Sequence, residues 1–212
     1  RGPMSSLYGS DAMGGVVNII TKNVTKEWTG SASVGFTAHD KSTFGNGHHG
    51  NFFVSGPLVQ DKLGLQVYGG ADYRPEDNII GGSNRNKNRN INAKLSFTPT
   101  DKQTFILEGG RHLLEKQETP GKSLALTTTR GASVAQNQPG ATHAIRNHWS
   151  LTHQADWDVI TSELSLYQEK AKREVSTNGV VDSRKPEITN TVFDAKFMLP
   201  VANHFFVFGG QH

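Results

Sequence analysis

Cysteine is absent from all 212 residues, which excludes a disulfide framework and any thiolate metal centre. Long apolar runs are missing too, since no uninterrupted hydrophobic stretch approaches the roughly 18–20 residues that a transmembrane helix needs. Hydrophobic residues reach only 34%, little for a chain long enough to bury a sizeable core. Nor is there a charge excess that would hold the chain unfolded: 22 Lys and Arg against 19 Asp and Glu leave a formal +3. A balance so slight, without a clustered patch, argues against nucleic acid as a partner. Sustained helical spacing is nowhere found. What remains is rich in Gly, Thr, Ser and Asn, the composition of a β-rich chain with one wet face.

Strict alternation of apolar and polar residues fills this space from Trp28 onward, and alternation sends successive side chains to opposite faces of a strand. Trp28, Gly30, Ala32, Val34, Phe36 and Ala38 share one face, with Thr29, Ser31, Ser33, Thr37 and His39 on the other. The same holds for Leu63, Leu65, Val67, Ala71 and Tyr73 against Gln66, Asp72 and Arg74, and for Ile91, Ala93, Leu95 and Phe97 against Asn90, Asn92, Lys94 and Ser96. Further segments run from Trp149 to Trp157, Ile160 to Glu169 and Phe193 to Leu199, with weaker ones near 52–58, 105–112 and 205–211. About nine strands are expected.

The connections alternate in length. Short turns are expected at 59–62, 99–102, 156–158 and 200–203, and long loops at about 39–50, 75–87, 113–144 and 171–186. Loops longer than about 12–15 residues are uncommon inside a compact domain, but short turns facing long loops are the habit of an up-and-down membrane sheet. A ten-residue strand tilted by about 45° spans roughly 23 Å, close to the apolar band of an outer-membrane barrel. Trp28, Phe97 and Trp157 fall near the short turns, and Tyr73 and Trp149 near the long loops, as interfacial aromatic girdles do. The pattern predicts an all-β fold: an antiparallel up-and-down transmembrane β-barrel sheet of about nine strands, which the resemblance given below implies to be a partial barrel. A soluble β-sandwich binding module is the alternative, with the apolar faces turned toward each other.

The opening segment, RGPMSSLYGSDAMGGVVNIITK, breaks the alternation. Glycines at 9, 14 and 15 permit tight turning before a short stretch that is apolar on both faces. No G-x-G-x-x-G spacing is present, so a dinucleotide site does not follow. Arg1, Gly2, Pro3, Ser5, Leu7, Tyr8, Gly9, Ala12, Gly14, Gly15 and the run from Val16 through Asn18 to Lys22 form a long motif. It closely resembles the end of the plug domain in TonB-dependent outer-membrane siderophore receptors. Within that family the resemblance is to the ferric-catecholate branch, and most to the colicin I receptor, with weaker support from Ser55 to Leu58 and Thr161 to Tyr167.

The resemblance implies residues 1–24 as the C-terminal end of the plug and 25–212 as the N-terminal portion of the barrel, an internal fragment of a longer receptor. It implies a Gram-negative outer-membrane location, a ferric siderophore as ligand, lipopolysaccharide as surroundings, and TonB as a partner through a box upstream of Arg1. A colicin is a further partner of that branch. Iron would arrive chelated, so no cofactor and no protein metal site is expected. Ferric catecholates are anions, which turns attention to basic residues near the long loops. Arg74, Arg85, Lys87 and Arg89 form the favoured cluster, opposed only by Glu76 and Asp77, with Arg130 as a further candidate contact. Lys116, Lys122, Lys172, Arg173, Arg184 and Lys185 are other loop cations. His48 and His49 are adjacent but lack metal-ligand spacing, and Glu108 and His112 share a face without a nucleophile motif. An outer-membrane barrel enzyme is therefore the weaker functional alternative. Arg111 falls by parity on the apolar face near the long-loop rim, within snorkelling reach of lipopolysaccharide phosphate.

Overall fold

The computed structural model describes residues 25–130, 133–201 and 204–212. The expected plug end at 1–24, with its motif from Arg1 to Asn18, lies outside the described residues. The chain forms β1 (Thr29–Thr37), β2 (Gly47–Val59), β3 (Leu63–Arg74), β4 (Arg85–Thr100), β5 (Gln103–Glu118), β6 (Thr127–Arg130), β7 (Ser133–Gln136), β8 (Gly140–Asp156), β9 (Thr161–Thr177), β10 (Val180–Val181), β11 (Glu187–Val201) and β12 (His204–Gln211). Nine of these make one antiparallel sheet in the order β1-β2-β3-β4-β5-β8-β9-β11-β12, while β6 and β7 form a separate hairpin and β10 pairs with β9. The expected all-β, up-and-down architecture is thus present.

Strands β5, β8 and β9 are longer than alternation alone suggests. Residues 113–118, 140–144 and 172–177, expected in long loops, continue the ladders. Their mixed composition, with Leu113 and Leu114 on opposite faces and polar residues around them, hides the period, but backbone pairing does not require an apolar face. The loops shrink accordingly to 38–46, 75–84, 119–139 and 178–186.

Cross-strand partners share a face, so the register sorts every side chain. Leu65, Leu95, Leu107, Leu151, Leu166 and Phe193 stand in one continuous row across six strands. On the opposite face Ser55, Gln66, Lys94, Glu108, Ser150 and Tyr167 form the parallel row. Burial is inverted relative to a water-soluble fold. Ala155 is the one buried hydrophobic residue among those described, whereas Ser55, Gln66 and Lys94 on the polar face are buried. Val34 is 91% exposed, and Phe52, Ile91, Leu107, Leu151 and Phe193 are exposed as well. No second protein layer covers the apolar face among the described residues, which rules out the sandwich alternative. Such a face needs an apolar covering, and hydrocarbon supplies one.

The apolar zone runs diagonally across the ladder. Its limit on the long-loop side is Phe36 in β1, whose register passes through His48 to Tyr73. In β4 the limit is Ile91, in β8 Trp149, in β9 Leu166 and in β11 Phe193, opposite Leu166, with Leu113 and Ile145 isolated beyond it in β5 and β8. That is a fall of about eight residues over about seven strand-to-strand steps, which at ~3.3 Å per residue and ~4.8 Å between strands corresponds to a tilt of about 40°. The short-turn limit falls in the same sense, from Trp28 to Leu199. A level hydrocarbon slab crossed by tilted strands produces this diagonal, at the inclination usual for transmembrane barrels.

Candidate functional site: the lumen wall and the loop rim

At the long-loop end, sequence places two adjacent acids, Glu76 and Asp77, beside the last residue of β3. Asp77 is 1% exposed. Its Oδ1 accepts the Gly45 N–H at 2.8 Å, its Oδ2 accepts the Ser83 N–H at 2.8 Å, and Arg74 Nη2 donates to both oxygens at 2.9 and 3.0 Å. Burial pushes this carboxyl up, but the two amides and the guanidinium outweigh burial and hold it below its ordinary value. Glu76 reaches the other way: its carboxylate accepts the Thr119 N–H, the Thr119 hydroxyl at 2.7 Å and the Ser123 hydroxyl at 2.7 Å. Burial raises Glu76 too, and the bonds from Ser123 and Thr119 again prevail, lowering it. Backbone bonds from Asn78 N–H to Thr43 and from Gly81 N–H to Ser123 complete the joint. Loops 38–46, 75–84 and 119–126 are therefore one knitted unit.

This geometry redistributes the cations expected as ligand contacts. Arg74 is committed to Asp77, to the Ser83 hydroxyl at 2.7 Å and to the Gly45 carbonyl at 3.4 Å, so it locks loops together. Arg85, Lys87 and Arg89 lie inside β4, not in a loop, and their register with Gln117, Glu115 and Leu113 puts them on the apolar, outward face. Arg89 pairs with Glu115. Arg130 ends β6 in the separate hairpin. His48 and His49 are divided by the strand: His48 stacks outward between Phe36 and Tyr73, while His49 turns inward beside Gly35.

The polar face carries two cations expected in loops, Lys116 and Arg173, and one that loop-centred reasoning passed over, Arg146. They lie on it in β5, β9 and β8, among Asn88, Asn90, His112 and His148. Arg146 is 3.8 Å from Glu169, and Lys94 pairs with Glu108 at 3.2 Å lower on the wall. Lys116 and Arg173 have no ion pair among the described residues. They line a polar hollow of about 310 Å³ at the rim, with Asn84 and Glu118. Extending the strict period of two past the apolar segments was the signal that finds them. The arrangement suits reversible contact with a multiply charged anion: cations on a rigid wall, amides and imidazoles between them.

No family model matches the chain. It is 38% identical over 216 residues to the iron-regulated outer membrane virulence protein of Vibrio cholerae, covering 100% of this chain and 31% of that protein. It is 32% identical over 200 residues to the probable TonB-dependent siderophore receptor PirA of Acinetobacter baumannii, covering 90% and 26%. The chain is homologous to the TonB-dependent siderophore receptors. The Escherichia coli ferrienterobactin receptor is 42% identical over 192 residues, covering 79% of this chain and 25% of the receptor. The crystal structure of A. baumannii PirA superposes with a TM-score of 0.75 at 25% identity, over 100% of this chain and 33% of that one. The receptor homologue thus spans about a third, or less, of the length of the relatives it matches. Its tilted, inverted sheet is a portion of an outer-membrane barrel wall, and the Gram-negative outer membrane is its location.

Proposed function

We propose that this chain supplies barrel wall, and with residues 1–24 the end of the plug, to a receptor that takes up a ferric siderophore of the anionic catecholate type. The observation that carries the reading is similarity over 79% to 92% of the chain to relatives named as siderophore receptors, three of them for enterobactin. The lumen-facing cations Lys116, Arg146 and Arg173 support it by charge. The mechanism is capture and relay, not covalent chemistry. The anion is met at the rim by Lys116, Arg146 and Arg173, which alternate with acids such as Glu118 and Glu169 on the same face, is held by many individually weak contacts, and is released inward when the plug moves under TonB. Iron travels as cargo inside its chelate, so the wall needs no ligands of its own. On this reading the knitted loops hold the mouth in shape, and a colicin that exploits the same mouth is a further partner.

The test is growth under iron limitation of a strain whose own catecholate receptors are deleted, expressing the full-length receptor. Growth on ferric enterobactin that disappears when TonB is deleted is expected. Growth on a hydroxamate siderophore alone would contradict the catecholate assignment. In the same receptor, combined Lys116→Gln, Arg146→Gln and Arg173→Gln changes should weaken ferric-catecholate binding by roughly tenfold at low salt and by less at high salt.

A further inference from the structure

Loop 75–84 presents two isoleucines to solvent at the long-loop end. Ile79 is 43% exposed and Ile80 54%, in a stretch from Glu76 to Asn84 that otherwise holds only polar residues and glycine. They stand on a built turn. The Gly82 N–H donates to the Ile79 carbonyl at 2.9 Å, and Gly81, with a φ of 78°, takes the position of a type II turn that favours glycine. Both flanks are fixed. Asp77 and Ser83 are held as described above, the Asn78 N–H donates to the Thr43 carbonyl at 2.7 Å, and the Gly81 N–H donates to the Ser123 carbonyl at 2.9 Å. Side chains on so fixed a support need no further ordering of the loop to bind a partner.

The turn belongs to the lumen side of the mouth. Arg74, which anchors Asp77 and Ser83, lies on the lumen face of β3 in one register row with Asn86 and Lys116. At the other end of the loop Asn84 donates to Glu118 Oε2 at 3.1 Å, again on the lumen face, and lines the polar hollow with Lys116 and Arg173. Four residues separate Ile80 from Asn84, so even an extended chain would keep their backbones within roughly 14 Å. An apolar knob and a cationic recess therefore share one side of the mouth, close enough to touch one ligand together.

An anion without apolar surface gains from the recess and nothing from the knob. A ligand that matches both carries negative charge and flat apolar rings in one molecule. Resting on the catecholate reading above, we propose that Ile79 and Ile80 are specificity-determining residues that pack on the aryl rings of the ferric catecholate while Lys116 and Arg173 meet its charge. Aryl chelates are then told from ring-free anions by apolar contact on one turn, and charge alone does not distinguish them.

The test titrates the purified full-length receptor with ferric enterobactin at low and at high salt. An Ile79→Ser, Ile80→Ser receptor should bind roughly five- to tenfold more weakly at both, with the salt dependence of the wild type, because the lost contact is apolar. An Ile79→Leu, Ile80→Leu receptor should stay within about twofold of the wild type. Wild-type affinity in the serine variant overturns the proposal, and is the result expected of a turn that seats a protein or another loop of the receptor. Hydrogen exchange at Gly45 and Ser83 should not change in the serine variant; a loss of affinity accompanied by faster exchange there belongs to the loop joint and also overturns it. A wild-type receptor that binds no ferric enterobactin at either salt would instead count against the proposed function, so the two failures are separable.

Discussion

At Asp77 one carboxylate closes three contacts, to the Gly45 amide, the Ser83 amide and the Arg74 guanidinium. Removing it leaves two amides without their acceptor and the guanidinium with only the Ser83 hydroxyl and the Gly45 carbonyl, a loss of about 3 kcal/mol of local stability. Asp77→Ala should therefore speed hydrogen exchange at Gly45 and Ser83 sharply while strands keep their protection; unchanged exchange there would show the joint to be incidental. The pH dependence follows from sign. Glu76 and Asp77 both titrate below their ordinary values in the folded loops, so their contribution is full above the unfolded carboxylate pKa of about 4 and is lost as pH falls through the folded values. Protection of the three loops should stay flat from about pH 7 to about pH 5 and collapse only below about pH 4. None of this was legible in sequence, where the two acids register only as charges subtracted from a basic cluster. Their partners are backbone amides brought close by loops that fold together, and no local pattern encodes that.

At the scale of the strand, neighbouring positions have opposite solvents. Leu151 lies in the lipid-side row of β8 and Ser150 in the lumen-side row. Leu151→Arg should cost about 2–4 kcal/mol in urea unfolding from lipid, and Ser150→Arg within about 1 kcal/mol. A reversed order would invert the sheet. Gly69 makes a sharper demand on β3: a Cβ there would stand 2.4 Å from the Asn90 carbonyl oxygen and 3.1 Å from the Phe52 ring. Gly69→Val should force β3 and β4 apart locally and lower the yield of folded receptor in the outer membrane, as read by heat-modifiable mobility. Strand identity and facing were legible wherever an apolar face existed, as in Leu63 to Tyr73 and Ile91 to Phe97. Strand length was not, because the upper ends of β5, β8 and β9 rise above hydrocarbon and carry polar residues on both sides. The same blindness moved Arg85, Lys87 and Arg89 into a loop, and kept Lys116 and Arg173 off the lumen wall.

Across the whole molecule the decisive quantity is the diagonal of the apolar zone. A sandwich core would produce a patch matched to a partner sheet, whereas a lipid slab produces upper and lower limits that descend together, as they do from β1 to β11. Single strands cannot reveal this, since tilt exists only in the register between them. The outward cations Lys87 and Arg89 and the lumen cations Lys116 and Arg173 are then on two surfaces with two solvents, separated by one thickness of sheet. The most direct measurement is a nitroxide scan of the full-length receptor in bilayers through residues 86–97 of β4 and 144–155 of β8, comparing collision with oxygen and with a water-soluble nickel chelate. Ile91, Ala93, Leu95, Trp149 and Leu151 should favour oxygen, and Asn90, Asn92, Lys94, His148 and Ser150 should favour nickel. Equal oxygen accessibility on both sets, or oxygen preference on the asparagine side, would contradict a wall with lipid outside and water within.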